Sequence, residues 1–530
     1  MVNYLEGLEP GFFEVKWDAA YTAITKSERL RMRDSFTQHS VIRELEEFVA
    51  SRIGEDRGPA THESTSEGGS HFIFEFAFSD RSLVLLRVPY PGGSSISLKT
   101  EKMTNEGEWM QYFSADTSIP IPHVYCFSKD ASDLVPILNL LFILMDVIRE
   151  GQILSEYLAS LPDSEPESDT VRSKIYEEFA VFYLQLRHQD VYDIGSIGRN
   201  ISGRWEATKR LLTPDMYLQS EGIPHYPSLP FPEVPYQLRI DYIQRLANDQ
   251  RVFLWDLRTL NSSRRLEKPS TSGRPCRDKD PNISPDGITQ NGNIDSEGVA
   301  KCARFRYRAR HSFTALIDEL YTDMEEYHYT PVVPFVPHLN PDKMFYDPKT
   351  GRITGVFNVE FSNFTMRAFL SDPPPWLIGL PPSHYIRRHD LNTYITKYEE
   401  ALPRFIEAMK KVEARAKEQM GWRGVAPHPE DSKALSTLML ESWNSRRFWF
   451  HYALQHICDV DYLYYEVLYT LHRDGQLYEL EPELQAEMED YVEHCQGMVQ
   501  SLERDCEELF EGPNPQLKTL VAAIKAGKLD

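Results

Sequence analysis

The sequence predicts an α+β protein of two lobes, a small strand-rich one followed by a larger, mainly helical one. Three observations carry this. Residues 71–87, HFIFEFAFSDRSLVLLR, alternate apolar and polar side chains on either side of a Ser-Asp-Arg-Ser turn, the pattern of an antiparallel hairpin. From about Gly151 onward the apolar spacing becomes helical, clearest in YEEFAVFYLQL at 176–186. The length, 530 residues, exceeds what one compact core usually holds.

The elements follow in order. Residues 28–53 place Leu30, Met32, Phe36, Val41, Leu45, Val49 and Ile53 at mainly helical spacing. After the hairpin, Thr104–Ala115 reads as a helix, 118–122 as an extended Pro-containing segment, and 124–127 and 142–147 as strands. Pro162–Asp169 reads as an acidic loop, and 262–300, rich in Ser, Pro, Gly, Asn and Asp, as a disordered insertion. Leu391–Met420 is helical with an interruption at Pro403, which predicts a kink or two abutting helices. Leu435–Leu471 is aromatic-rich and helical, and 484–509 carries one apolar stripe that fits packing on its own domain or a protein partner. These readings divide the chain into an N-terminal helical extension (1–58), a β-rich lobe (59–150), a helical lobe (151–430) and a C-terminal helical extension (431–530).

Composition narrows the function. Hydrophobic residues make up 41% and charged residues 26%, ordinary values for a globular protein, and the net charge is −23. Such a charge repels nucleic-acid phosphates. The longest apolar run, Leu134–Ile148, contains Pro136, Asn139 and Asp146 and is too short and polar for a membrane span; no leader is read at the N-terminus. The six cysteines show no CxxC pair, which fits reduced thiols in a cytoplasmic protein. His451, His456 and Cys458 lie close together, but no fourth ligand is spaced to complete a zinc site.

Residues 67–71, Glu-Gly-Gly-Ser-His, form a candidate phosphate loop, because Gly68 and Gly69 let the backbone approach a phosphate closely, with Ser70 beside them. Arg87, at a strand end, and Glu106, on the following helix, form a candidate ion pair that would hold a cation against phosphates.

The segment PVVPFVPHLNPDKMFYDPKTGRITGVFNVEFS, 331–362, resembles the active-site stretch of aminoglycoside phosphotransferases and choline-kinase-like enzymes, PFVLTHGDLHPxNILVD…GRITGVIDWE. SADTSIPIPHVYCF (114–127), FILMDV (142–147), VYDIGSIG (191–198) and SWNSRRFWFHYAL (442–454) resemble segments of fungal phosphotransferase-family proteins, in the same order. The resemblance runs from about residue 60 to 470. It implies a protein-kinase-like fold, ATP and Mg²⁺ as cofactors, and a nucleotide seat that includes Met145 and Val147 at the hinge between lobes.

In gapless register His338 stands at the family's catalytic Asp, Lys343 at its metal-binding Asn and Asn358 at its metal-binding Asp. Leu339, Pro341 and Asp347 keep the loop scaffold; Val359 replaces a Trp, and Glu360 remains. Magnesium takes oxygen ligands in near-octahedral order. Lys343 offers none, and unit charges a few ångström apart repel by roughly 1–4 kcal/mol at surface-like dielectric. The expectation is a catalytically degenerate, kinase-like protein that binds a nucleotide, a small molecule or a protein partner. The alternative is an active small-molecule kinase in which Glu360 or Asp342 holds the metal. A third possibility, nucleotidyl transfer on the same fold, has no positive sign in the sequence.

Overall fold

The structure, a computed structural model, describes residues 29–90, 95–162, 166–188, 191–217, 232–256, 296–321, 332–337, 339–419, 433–472 and 475–511. His338 and most of the expected insertion lie outside these residues.

The α+β, two-lobed organisation is present. The first lobe opens with a short helical run at 29–36 and helix α1 (His39–Ile53), then strands β1 (Thr61–Glu67), β2 (His71–Ala77) and β3 (Leu83–Pro89). Helix α2 (Ile96–Asp116) leads to β4 (Val124–Phe127) and β5 (Ile143–Asp146). The five strands form one antiparallel sheet in the order β1-β2-β3-β5-β4. Period-two alternation sends Phe72, Phe74 and Phe76 of β2 and Val84, Leu86 and Val88 of β3 to one face, fully buried under Val41, Leu45 and Val49 of α1. The opposite face, with His71, Ile73, Leu85 and Arg87, turns toward the second lobe.

Strand β1 was not expected. Its sequence, THESTSE, has no apolar alternation, and most of its side chains are exposed. It is an edge strand held by its ladder with β2, so hydrogen bonding rather than burial defines it. Helix α2 starts eight residues earlier than expected, at Ile96, where the Ser95 side chain caps it by accepting from Leu98 N at 3.2 Å.

The second lobe begins with β6 (Gln152–Ile153), α3 (Leu154–Ser160) and α4 (Pro166–Arg187). The acidic loop is therefore shorter than expected, because Pro166 takes the first helical position, where proline is favoured. Next come β7 (Ser196–Arg199), β8 (Trp205–Lys209), α5 (Arg239–Asp256) and α6 (Ser296–Tyr321). Residues 296–300 are thus helical and not part of an insertion: Val299 and Ala300 are buried and fix the start of α6.

Strands β9 (Val332–Phe335), β10 (Met344–Asp347), β11 (Arg352–Val356) and β12 (Asn363–Met366) follow. They form a three-stranded β11-β10-β6 sheet and a β12-β9 pair. Helix α7 (Leu391–Glu418) packs along α4 and runs unbroken through Pro403. Of the two expected outcomes, two abutting helices are not formed: the helix is continuous, with Pro403 exposed and Leu402, Phe405, Ile406 and Met409 buried in one register.

The chain ends in α8 (Leu435–Asn444), α9 (Arg447–Gln455), α10 (Val460–Glu466) and α11 (Pro482–Glu511). Met488, Tyr491, Cys495 and Val499 of α11 pack on Phe253 and Leu254 of α5 and on Val299, Ala303 and Tyr307 of α6. The 442–454 segment is clasped from inside: Ser442 Oγ donates to Asp372, and His451 Nδ1 lies 2.9 Å from the same carboxylate. Among the described residues no helix is long and apolar enough to cross a membrane.

Candidate nucleotide site

The cleft between the lobes is assembled from four stretches: the β1–β2 turn, the end of β3, one face of α2, and the segments 341–343 and 357–362.

Arg87 lies opposite Ile73 on the cleft face of the sheet and is 5% exposed. Its Nη2 donates to Glu106 Oε2 in a buried ion pair, and its Nη1 donates to Asn358 Oδ1 at 3.2 Å. One guanidinium thus bridges α2 and the 357–362 segment. Burial lowers the Arg87 pKa, and the Glu360 carboxylate opposes that shift. Glu106 is brought this close by Gly107. A Cβ there would meet the Phe127 ring at 2.5 Å, so only glycine lets α2 lie against β4.

Lys102, Asn105 and Glu106 are spaced three and four apart and share one face of α2. Lys102 Nζ sits 3.4 Å from Glu360 Oε2 and 4.3 Å above the Tyr217 ring. Asn105 Nδ2 donates to the carbonyls of Glu360 at 2.8 Å and Ser362 at 3.1 Å. The α2 face therefore grips 358–362 by side chains and backbone together.

Asn358 adopts φ +60°, a left-handed conformation that Asn and Asp tolerate better than other non-glycine residues. Such backbone strain concentrates at functional positions. Lys343 ends a single turn, Pro341–Lys343, in which Asn340 Oδ1 accepts from Asp342 N at 3.1 Å. The Lys343 carbonyl accepts from Phe357 N at 3.1 Å, which places it beside Asn358 in the chain path. The Lys343 residue is half-buried. Asp342 is exposed, and Glu360 is buried against Lys102.

Gly68, Gly69 and Ser70 form the turn between β1 and β2. Gly68 N donates to His71 O at 2.9 Å, and Gly68 O accepts from Tyr90 Oη at 2.5 Å. Arg29 adds a longer contact to that carbonyl and lies 4.0 Å over the Tyr90 ring. Neither Gly68 nor Gly69 has positive φ, so the turn itself does not require glycine. The residues it leads into carry the charge logic further: His71 is buried, with Nδ1 2.7 Å from Ser70 Oγ. Burial, with Arg87 and Lys102 nearby, holds its pKa well below the ordinary value, so the ring is neutral at pH 7.

Met145 is buried in β5 opposite Leu85, and Val147 follows it half-buried, next to the passage between lobes. The structure thus brings Arg87, Glu106, Asn358 and Glu360 into one cluster. The turn 68–70 borders that cluster through His71. Sequence reading missed Lys102, Asn105, Tyr90 and Tyr217. The first two carried a usable signal: polar residues on the same helix face as Glu106, within a helix otherwise rich in Met, Trp and Phe.

No protein-family model matches the chain, and no curated protein matches its sequence. Solved structures do. The chain is similar to a macrolide 2′-phosphotransferase type I at 11% identity, covering 84% of this chain and 99% of the other, with a TM-score of 0.35. It is similar to the macrolide 2′-phosphotransferase of Brachybacterium faecium at 11% identity, over 80% of this chain and 97% of the other, with a TM-score of 0.34. It is similar to the Plasmodium vivax ethanolamine kinase at 11% identity, over 85% and 83% of the two chains, with a TM-score of 0.33. Likeness at this level bears on fold alone and carries no chemistry to this chain.

Proposed function

We propose that this chain is a catalytically degenerate, kinase-like protein that binds a phosphate-bearing ligand with its own cations in place of magnesium. The supporting observation is the Arg87 bridge: its guanidinium hydrogen-bonds Asn358, the residue in register with a metal ligand, while pairing with Glu106.

The described residues do not fit Mg²⁺. The ion needs several hard oxygens at about 2.1 Å. Here Asn358 Oδ1 already accepts from a cation, Glu360 faces Lys102, and position 343 offers an ammonium. Among the described residues no group of three or more His, Cys, Asp or Glu side chains is placed to hold a metal. ATP, if it enters, therefore meets protein cations alone. Among the described residues Cys126, Cys302, Cys458 and Cys495 form no disulfide, which suits a reducing, cytoplasmic setting, and a protein partner is compatible with the same module.

The test is reversion. The triple variant His338→Asp, Lys343→Asn, Asn358→Asp restores the carboxylate and two oxygen ligands; left-handed backbone at 358 accepts Asp as readily as Asn. The expected outcome is Mg²⁺-dependent ATP hydrolysis in the variant and none in the parent. Turnover by the parent at a comparable rate contradicts the proposal.

A further inference from the structure

Buried lysines are rare, and the surroundings of buried Lys102 have the makings of a receptor for its ammonium group. Nζ lies 4.3 Å from the centroid of the Tyr217 ring, 5.2 Å from that of Phe361 and 3.4 Å from Glu360 Oε2. The two rings are 5.8 Å apart at an interplanar angle of 63°, so they form a corner and not a stack. Two aromatic rings and a carboxylate are the chemistry that recognises an alkylammonium ion: the rings present their negative π-systems to the charge, and the carboxylate supplies the counter-charge.

Contacts other than those of Lys102 fix this corner. Leu212 N donates to Asn363 Oδ1 at 3.1 Å, and its carbonyl accepts from Asn363 Nδ2 at 2.6 Å. Tyr217 follows a few residues on, with its N donating to Thr213 O at 3.2 Å. The Phe361 carbonyl accepts from Asn363 Nδ2 at 2.9 Å, and Asn105 holds the carbonyls of Glu360 and Ser362 on either side of it. Leu98, one turn before Lys102 on α2, packs with Leu212, Phe361 and Tyr217 as an apolar wall. Glu360 gives an independent sign. Among the described residues its buried Oε2 has no hydrogen-bond partner, so Lys102 offsets the charge while the lone pairs stay unused.

We propose that Glu360, Tyr217 and Phe361 form an alkylammonium-binding site whose resident occupant is Lys102. The side chain is an intramolecular ligand: it fills the site, ties α2 to the 358–362 segment, and shuts out free amines. Cut back, it leaves a site that takes a primary alkylammonium ion. The assignment is separate from the phosphate-binding reading, because this corner recognises a cation.

The experiment is chemical rescue of the full chain, read by thermal unfolding. Lys102→Ala removes Cγ, Cδ, Cε and Nζ, the heavy atoms of n-propylammonium. The variant is expected to melt below the parent, because Glu360 loses its counter-charge. n-Propylammonium chloride is expected to raise the variant's midpoint saturably, and by more than equal concentrations of NaCl or n-propanol, which match its ionic strength and its shape separately. Glu360→Gln in the same background is expected to abolish that excess, and the parent, whose site is filled, is expected to show none. A rise no larger than that given by the two controls overturns the proposal. So does an excess that survives Glu360→Gln, or one of equal size in the parent. Lys102→Met, which keeps the stem without its charge, covers the case in which the truncated chain does not fold. Its loss of stability and that of Tyr217→Leu are expected to be less than additive in the double variant, since both break one cation–ring contact. Additive losses overturn the proposal.

Discussion

Arg87 and Glu106 are 5% and 1% exposed, so each charge is affordable only beside the other. Removing one partner leaves an uncompensated charge in a nearly dry site, at a typical cost of about 3–5 kcal/mol. Glu106→Ala is therefore expected to lower stability by about that amount, read as a shift in the urea midpoint with unchanged slope. Replacing both, as Arg87→Met with Glu106→Leu, removes the two desolvation penalties together and is expected to cost much less than the sum of the single variants. Additive losses in that double-mutant cycle would show that the pair is not coupled. Asn358 belongs to the same unit through its 3.2 Å hydrogen bond, so a change at either end reaches the other lobe.

At the scale of elements, the turn at 214–217 joins the cleft to the helical lobe. Tyr217 lies over Lys102, and Asp215 Oδ2 accepts from Ile457 N at 3.1 Å, ahead of α10. Burial raises the Asp215 pKa to about 7; the Ile457 N–H and Arg310 oppose the shift, and Asp249 and Asp459 add to it. The unfolded chain releases that proton near pH 3.9. A carboxyl raised in the folded state stabilises fully below its unfolded pKa, and the contribution is lost as pH rises through the folded value. Between about pH 4 and pH 7 the parent therefore loses stability through this group, whereas Asp215→Asn does not titrate there. The variant should gain relative to the parent when urea midpoints are compared at pH 5 and pH 8. A difference that is constant with pH contradicts this assignment. In the same region Arg306 and Arg310, both fully buried, share Asp461 and tie α6 to α10.

Across the whole molecule, a few contacts hold the lobes together. They include Arg87–Asn358, Asn105 to the carbonyls of 360 and 362, and Val356 N to Pro120 O at 2.8 Å. Much of the layout was legible where burial writes a period into the sequence: the β2–β3 hairpin, the α4 core and the stripe of α11. Features held by hydrogen bonds or context were not. Strand β1 is polar and exists through its partner; α7 continues as one helix past Pro403, with its flanking face buried; and α6 starts inside a stretch that reads as low complexity. In the cleft, register located positions 343 and 358, but chain spacing carries no information about Lys102 meeting Glu360 from 258 residues away, or Arg87 meeting Asn358. The central claim, that cations stand where a metal would be held, is most directly tested by thermal unfolding of the parent chain with ATP, in Mg²⁺ and in EDTA. The account predicts the same midpoint in both. A Mg²⁺-dependent rise worth about 2.7 kcal/mol, the stabilisation at a hundredfold excess over Kd, would contradict it.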